Sequence, residues 1–146
     1  MSDNNKENSI LIVEDSEVNT KILKEILGGQ YELFFARDGL EGVEMAISKQ
    51  PDLMLLDIVL PKMDGYEVIE TIRKTPETKE LPIIFVTSLS DIDNERKGLE
   101  LGADDYINKP YDVTVLELRI GIQMRIINQM RTIQLLSAEI EQWMKS

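Results

Sequence analysis

Leu53-Met54-Leu55-Leu56-Asp57-Ile58-Val59-Leu60-Pro61-Lys62-Met63-Asp64-Gly65 is the stretch of sequence that decides the fold. Four apolar residues run without alternation into a carboxylate. A strand wetted on one face alternates apolar and polar side chains, whereas a continuous run suits a strand covered on both faces. Pro61 and Asp64-Gly65 then mark a turn, and Tyr66 to Lys74 has helical spacing.

The same unit recurs on either side. Ile10-Leu11-Ile12-Val13 reads as a first strand ending at Glu14-Asp15. Glu17 to Leu27 is helical, with Val18, Ile22, Leu23, Ile26 and Leu27 as its apolar side, closed by Gly28-Gly29. Tyr31 to Ala36 is a second strand, and Gly39 to Ser48 a second helix capped by Asp38. Pro82 to Val86 leads to Thr87 as a fourth strand, and Asp91 to Leu101 forms a fourth helix before Gly102. Tyr106-Ile107 is a short fifth strand before Asn108-Lys109-Pro110. Five such alternations predict an α/β fold, a doubly wound five-stranded parallel sheet with helices on both faces.

The last helix, starting near Asp112, is too long for that sheet. Val113 to Met144 contains no proline and only one glycine, Gly121, and would run roughly 48 Å at 1.5 Å per residue. Ile126, Met130, Ile133, Leu136, Ile140 and Trp143 form an apolar stripe of the kind that seeks another helix. The chain is thus expected to comprise a disordered leader over 1–8, one domain over 9–124, and an extended C-terminal helix over 125–146, serving as a linker or a dimerisation helix.

The bulk numbers narrow the function. The 146 residues suffice for one domain with a proper core. A net charge of −11 argues against nucleic acid as a partner of this chain. With no cysteine there is no disulfide or thiolate site, and with no histidine there is no imidazole base, phosphohistidine or His-based zinc site. The first eight residues are polar, unlike a signal peptide, and no run approaches the roughly 18 apolar residues of a membrane span. A cytoplasmic protein with no membrane partner is expected.

Open α/β sheets carry their sites at the carboxyl ends of the strands. Here those ends hold Glu14-Asp15, Asp57, Thr87-Ser88 and Lys109. Each alone reads as a turn residue or a solvated charge. Together, three carboxylates would repel one another unless a cation sits among them. Oxygen-only ligands favour Mg²⁺. An amine and a hydroxyl beside them make an electrostatic cradle for phosphoryl transfer to a carboxylate nucleophile. The Glu14-Asp15-Ser16 loop would repel a cofactor phosphate, which disfavours a flavin carrier. A Mg²⁺-dependent phosphohydrolase with an Asp nucleophile typically has a second acid two residues on, where Val59 stands.

The stretches Ile10 to Asp15, Leu55 to Gly65 and Gly102-Ala103-Asp104-Asp105-Tyr106-Ile107-Asn108-Lys109-Pro110 resemble, in order and spacing, the receiver domain of two-component response regulators over about residues 9–124. The resemblance implies a flavodoxin-like sheet of order 2-1-3-4-5. It implies that Asp57 takes a phosphoryl group from a phosphohistidine on a sensor histidine kinase or phosphotransfer protein. Glu14, Asp15, Asp57 and the backbone carbonyl of Val59 would hold Mg²⁺, and Lys109 would pair with the phosphoryl group. Thr87 and Tyr106 would be the switch residues, and Lys109–Pro110 a cis bond. Glu14 stands where the family more commonly has Asp.

Gly65 is expected to supply a turn conformation closed to other residues. Val59 and Leu89 are apolar and cannot orient an attacking water, so slow loss of the phosphoryl group is expected. Such a chain catalyses only its own phosphorylation and dephosphorylation. The stripe would either connect to a further domain or pair two chains as a homodimer. A phosphorylation-independent adaptor is the alternative, and the complete set Glu14, Asp15, Asp57, Thr87 and Lys109 argues against it.

Overall fold

Backbone hydrogen bonds in the computed structural model, which describes residues 8–88 and 92–145, join five strands into one parallel sheet. The strands are β1 (Ser9–Val13), β2 (Glu32–Ala36), β3 (Leu53–Asp57), β4 (Ile83–Thr87) and β5 (Asp105–Asn108), in the order β2-β1-β3-β4-β5. Between them run α1 (Glu17–Leu27), α2 (Gly39–Lys49), α3 (Gly65–Lys74) and α4 (Ile92–Glu100), and α5 (Val113–Lys145) closes the chain. This is the flavodoxin-like order expected. Residues 1–7 of the expected leader, Leu89, and the expected first residue of α4, Asp91, lie outside the described residues.

The unbroken apolar runs feed two cores at once. In β1 and β3 alternate side chains point to opposite faces. Leu11, Val13, Met54 and Leu56 join Val43, Val68 and Ile72 under the α2 and α3 side. Ile10, Ile12, Leu53 and Leu55 join Leu23, Leu27, Leu116 and Ile120 under α1 and α5. Burial of β1 and β3 on both faces fixes their register, because a one-residue slip would exchange the two cores. The carboxyl ends of the central strands are thereby held level: Val13 pairs with Leu56, and Asp57 with Val86.

Three expectations need correction. The apolar side of α1 is narrower than its composition suggests: Leu23 and Leu27 are buried and Ile26 packs beside them, while Val18 and Ile22 face solvent. Asn8, placed with the leader, is buried, and its amide exchanges hydrogen bonds with Asn128 of α5 at 3.1 and 3.4 Å. Gly65 does not adopt a conformation reserved for glycine; the left-handed residue of its loop is Lys62, with φ 68°.

What Gly65 supplies is space. It opens α3, and its N–H donates to the Ile58 carbonyl at 2.8 Å. A Cβ there would sit 2.5 Å from the Ile58 Cα and 2.8 Å from the Asp57 carbonyl oxygen. The loop after β3 therefore closes tightly only on a residue without a side chain.

α5 is one helix of 33 residues, running past the sheet. Among the described residues no helix is long and apolar enough to cross a membrane. The close approach at residue 65 gives a direct test. Gly65→Ala should lower the melting temperature by several degrees, since forced overpacking costs about 1–3 kcal/mol. Gly29→Ala, with nothing within 4 Å of the added methyl, should leave thermal unfolding nearly unchanged. Equal melting curves for the two variants would refute the packing role.

Candidate functional site

The site begins with the strand ends. Asp57 is the last residue of β3, and Glu14 and Asp15 follow β1 directly. Glu14 and Asp57 are buried while Asp15 is exposed, and one oxygen from each of the three carboxylates lies within 4.8 Å of the others. The folding of the central strands thus forces like charges together at the sheet edge.

Local backbone groups partly neutralise them. The Glu14 Oε2 accepts from the Ser16 N–H at 3.1 Å, and Oε1 meets the Asn19 side-chain amide at 3.5 Å. Ser16 is also the N-cap of α1, its hydroxyl accepting from the Asn19 N–H at 3.3 Å. The Asp57 Oδ1 accepts from the Val59 N–H at 3.0 Å. Lys109, reached from β5, places its Nζ 2.7 Å from the Asp57 Oδ2 and 3.2 Å from the Glu14 Oε1. One ammonium therefore serves two carboxylates. Its own N–H donates to the Thr87 carbonyl at 2.9 Å, which ties β5 to the end of β4. The Lys109–Pro110 peptide bond is cis.

Burial dominates the electrostatics. It pushes the Glu14 carboxyl above its ordinary value, and the nearby Asp57 charge adds to that rise against the lowering effect of the Ser16 amide and Lys109. Burial alone would depress the Lys109 ammonium, but its hydrogen bond and charge contact with Asp57, and then Glu14, hold it above the ordinary value. The Tyr111 phenol is pushed up by burial first and then by the charges of Glu14 and Asp57. Tyr111 carries little signal in the sequence. Its only signal there is its place directly after Lys109-Pro110.

The donor set fits a hard cation. It is all oxygen, carries more negative charge than one Lys neutralises, and is partly open to solvent through Asp15. Opposite ligands on an octahedral Mg²⁺ lie about 4 Å apart, so the carboxylates are already near the required spacing. The other expected residues occupy distinct places. Thr87 is fully buried at the end of β4. Tyr106 stands away from the carboxylates, half-buried, its ring 5.8 Å from Phe85 and with the Arg119 guanidinium 5.9 Å from its centre. Val59 enters the site through its amide. Gly65 backs Asp57 from behind the loop.

The raised Glu14 carboxyl has a consequence for stability. A carboxyl whose folded pKa exceeds its ordinary 4.5 favours folding below that pH, and the benefit is lost as the pH rises through the folded value. Without divalent cation, Glu14→Gln should therefore melt higher than wild type at neutral pH, with the gap closing on acidification toward pH 4.5. Added Mg²⁺ should stabilise wild type more than the variant. A variant less stable at neutral pH without cation would contradict this account of the burial.

Comparison with known proteins places this geometry. The response regulator receiver domain family matches residues 10–121. A probable cyclic di-GMP phosphodiesterase of Vibrio cholerae is 42% identical over 117 residues, covering 80% of this chain and 26% of that protein. The chain spans about half or less of the length of such curated relatives. A response regulator structure from Chloroflexus aurantiacus superposes with a TM-score of 0.77 at 34% identity, covering 81% of this chain and 98% of the other. The receiver domain of a Pseudomonas aeruginosa sensor histidine kinase, solved with a magnesium ion coordinated in its active site cleft, gives a TM-score of 0.73 at 30% identity, covering 83% of this chain and 98% of the other. The match over most of the chain, on a sheet of the same order with acidic strand ends, shows that it belongs to the response regulator receiver domain family.

Proposed function

We propose that Asp57 accepts a phosphoryl group from a phosphohistidine on a partner histidine kinase or phosphotransfer protein, and that the domain then changes conformation to signal onward. The observation that carries this reading is the Lys109 Nζ held 2.7 Å from the Asp57 Oδ2 beside the Glu14 and Asp15 carboxylates. In the transfer an Asp57 oxygen attacks phosphorus, the P–N bond to the donor imidazole breaks, and the imidazole leaves with the bonding pair. Glu14, Asp15, Asp57 and the Val59 carbonyl would hold Mg²⁺. Bound there, the ion would supply positive charge against the transferring oxygens.

The chain's own residues do the rest. Lys109 would move its ammonium from the two carboxylates to a phosphoryl oxygen. Thr87 would offer its hydroxyl to another, and Tyr106, packed between Phe85 and Arg119, would follow Thr87 inward. The chain acts on its own Asp57 and turns over no separate substrate. The activities named for longer relatives would reside in what lies beyond this domain. A phosphohistidine made with ATP implies a cytoplasmic location. The docking-only adaptor has no comparable support, since it would not need a buried carboxylate paired to Lys109.

Incubation with Mg²⁺ and a small-molecule phosphodonor should add one phosphoryl group per chain at Asp57, seen by intact and peptide mass spectrometry. Asp57→Asn should take up none. Equal behaviour of wild type and variant would defeat the reading.

The lifetime of the product should be long. Val59 is apolar and mostly exposed two residues after Asp57, where it blocks no water but orients none. Without a phosphatase the phosphoryl group should persist for minutes or longer, and Val59→Asn should shorten its lifetime. Wild-type decay within seconds would rule this out.

A further inference from the structure

α5 carries two apolar faces, and among the described residues only one packs against its own domain. At 3.6 residues per turn, Leu116, Ile120, Met124 and Ile127 share one side of the helix. The first three are buried and Ile127 packs beside them on the β1 and β3 face of the sheet. Ile122, Ile126, Ile133, Leu136 and Ile140 fall on the opposite side, all between 48% and 59% exposed. The steps between positions 122, 126, 129, 133, 136 and 140 alternate four and three, which is the heptad pattern of a coiled-coil seam.

We propose that this second face pairs with the same face of another copy of the chain, as a parallel, in-register, two-stranded coiled coil. Four observations commit it to that occupant. The seam has Ile at 126, 133 and 140, with Ile122, Gln129 and Leu136 at the alternate positions, and β-branched residues at the first set with Leu in the second favour two parallel strands.

Gln129 is the one polar residue within the seam. It meets itself only when the helices are parallel and in register, so its amides can bond to each other. An antiparallel partner would set it against Ile133 with no hydrogen-bond partner. The charged residues flanking the seam, Arg125 and Glu139, would face Met130 and Met144 of the second copy, so no like charges meet. Finally, five large apolar side chains at about 100 Å² each from both copies, with their flanks, approach the roughly 1,200 Å² of a specific interface.

The direction of the pairing helix is set by polar contacts. α5 begins beside the site and runs antiparallel to the strands. It is fastened at their amino ends by the Asn8–Asn128 pair and by Arg131 with Asp52, whose other oxygen accepts from the Ser9 N–H at 2.7 Å. Two parallel copies would therefore stand side by side, with their α5 ends projecting together. The pairing does not rest on Asp57 being a phosphoacceptor.

Sedimentation across a concentration series tests it. Wild type should be a dimer at micromolar concentrations. Ile133→Glu combined with Leu136→Glu changes only solvent-facing positions, so it should leave far-UV circular dichroism and thermal unfolding of the domain intact. It should weaken the dimer by roughly a hundredfold, since it buries unpaired charge in the seam. A wild-type chain that stays monomeric throughout, or a double variant that dimerises as tightly, overturns the proposal.

Orientation is read separately, because the chain has no cysteine. Ile140→Cys alone should form a disulfide-linked dimer on mild oxidation. If Ile140→Cys cross-links only when mixed with Ile122→Cys, the helices are antiparallel and the parallel assignment fails.

Discussion

Like charges held together against their repulsion are the constraint on which the functional end of this molecule depends. Glu14, Asp15 and Asp57 come within 4.8 Å of one another because β1 and β3 are buried on both faces and cannot shift. The apolar core supplies the force, and the strand register supplies the precision. Lys109 is the main response available to the protein itself. It crosses from the fifth strand to sit between two of the three acids, which leaves the cluster still negative. The elevated Glu14 carboxyl and Lys109 ammonium are both readouts of that balance. A divalent cation and a phosphoryl group, one positive and one negative, suit such a place as a pair better than either does alone.

Much of this was legible in the sequence because it rests on position along the chain. A parallel sheet covered on both faces writes its strands as continuous apolar runs, so Ile10 to Val13 and Leu53 to Leu56 could be placed. Their last residues then named the acids. Lys109 was legible for the same reason, as the residue after a strand.

What escaped depends on distance rather than order. Asn8 has a partner 120 residues away and carries no periodic signal. The Tyr111 phenol is raised first by its burial and then by the charges of Glu14 and Asp57, which no spacing records. Val18 and Ile22 share the apolar character of Leu23 and Leu27, yet the sheet reaches only the latter pair. At Gly65 the residue type signals a special position but not its reason: two backbones approach too closely for a side chain, whereas the unusual dihedral belongs to Lys62.

α5 shows how one helix can belong to two structures. Its first third is core, contributing Leu116, Ile120 and Met124 to the layer under β1 and β3. Beyond that the same rod continues without a break, so the part packed on the sheet and the far end of the helix belong to one element. Gly121 lies between the two faces, and a Cβ added there would meet nothing within 4 Å.

The polar fastening of α5 to Asn8 and Asp52 sits at the amino ends of the strands, opposite the acids. The acidic edge and the projecting end of α5 are thereby separated in space. A phosphodonor must reach the carboxyl edge of the sheet, while anything that grips the projecting helix does so from the other pole. Two such partners would not need to take turns: a domain charged by one protein while held by another would require no dissociation for handover.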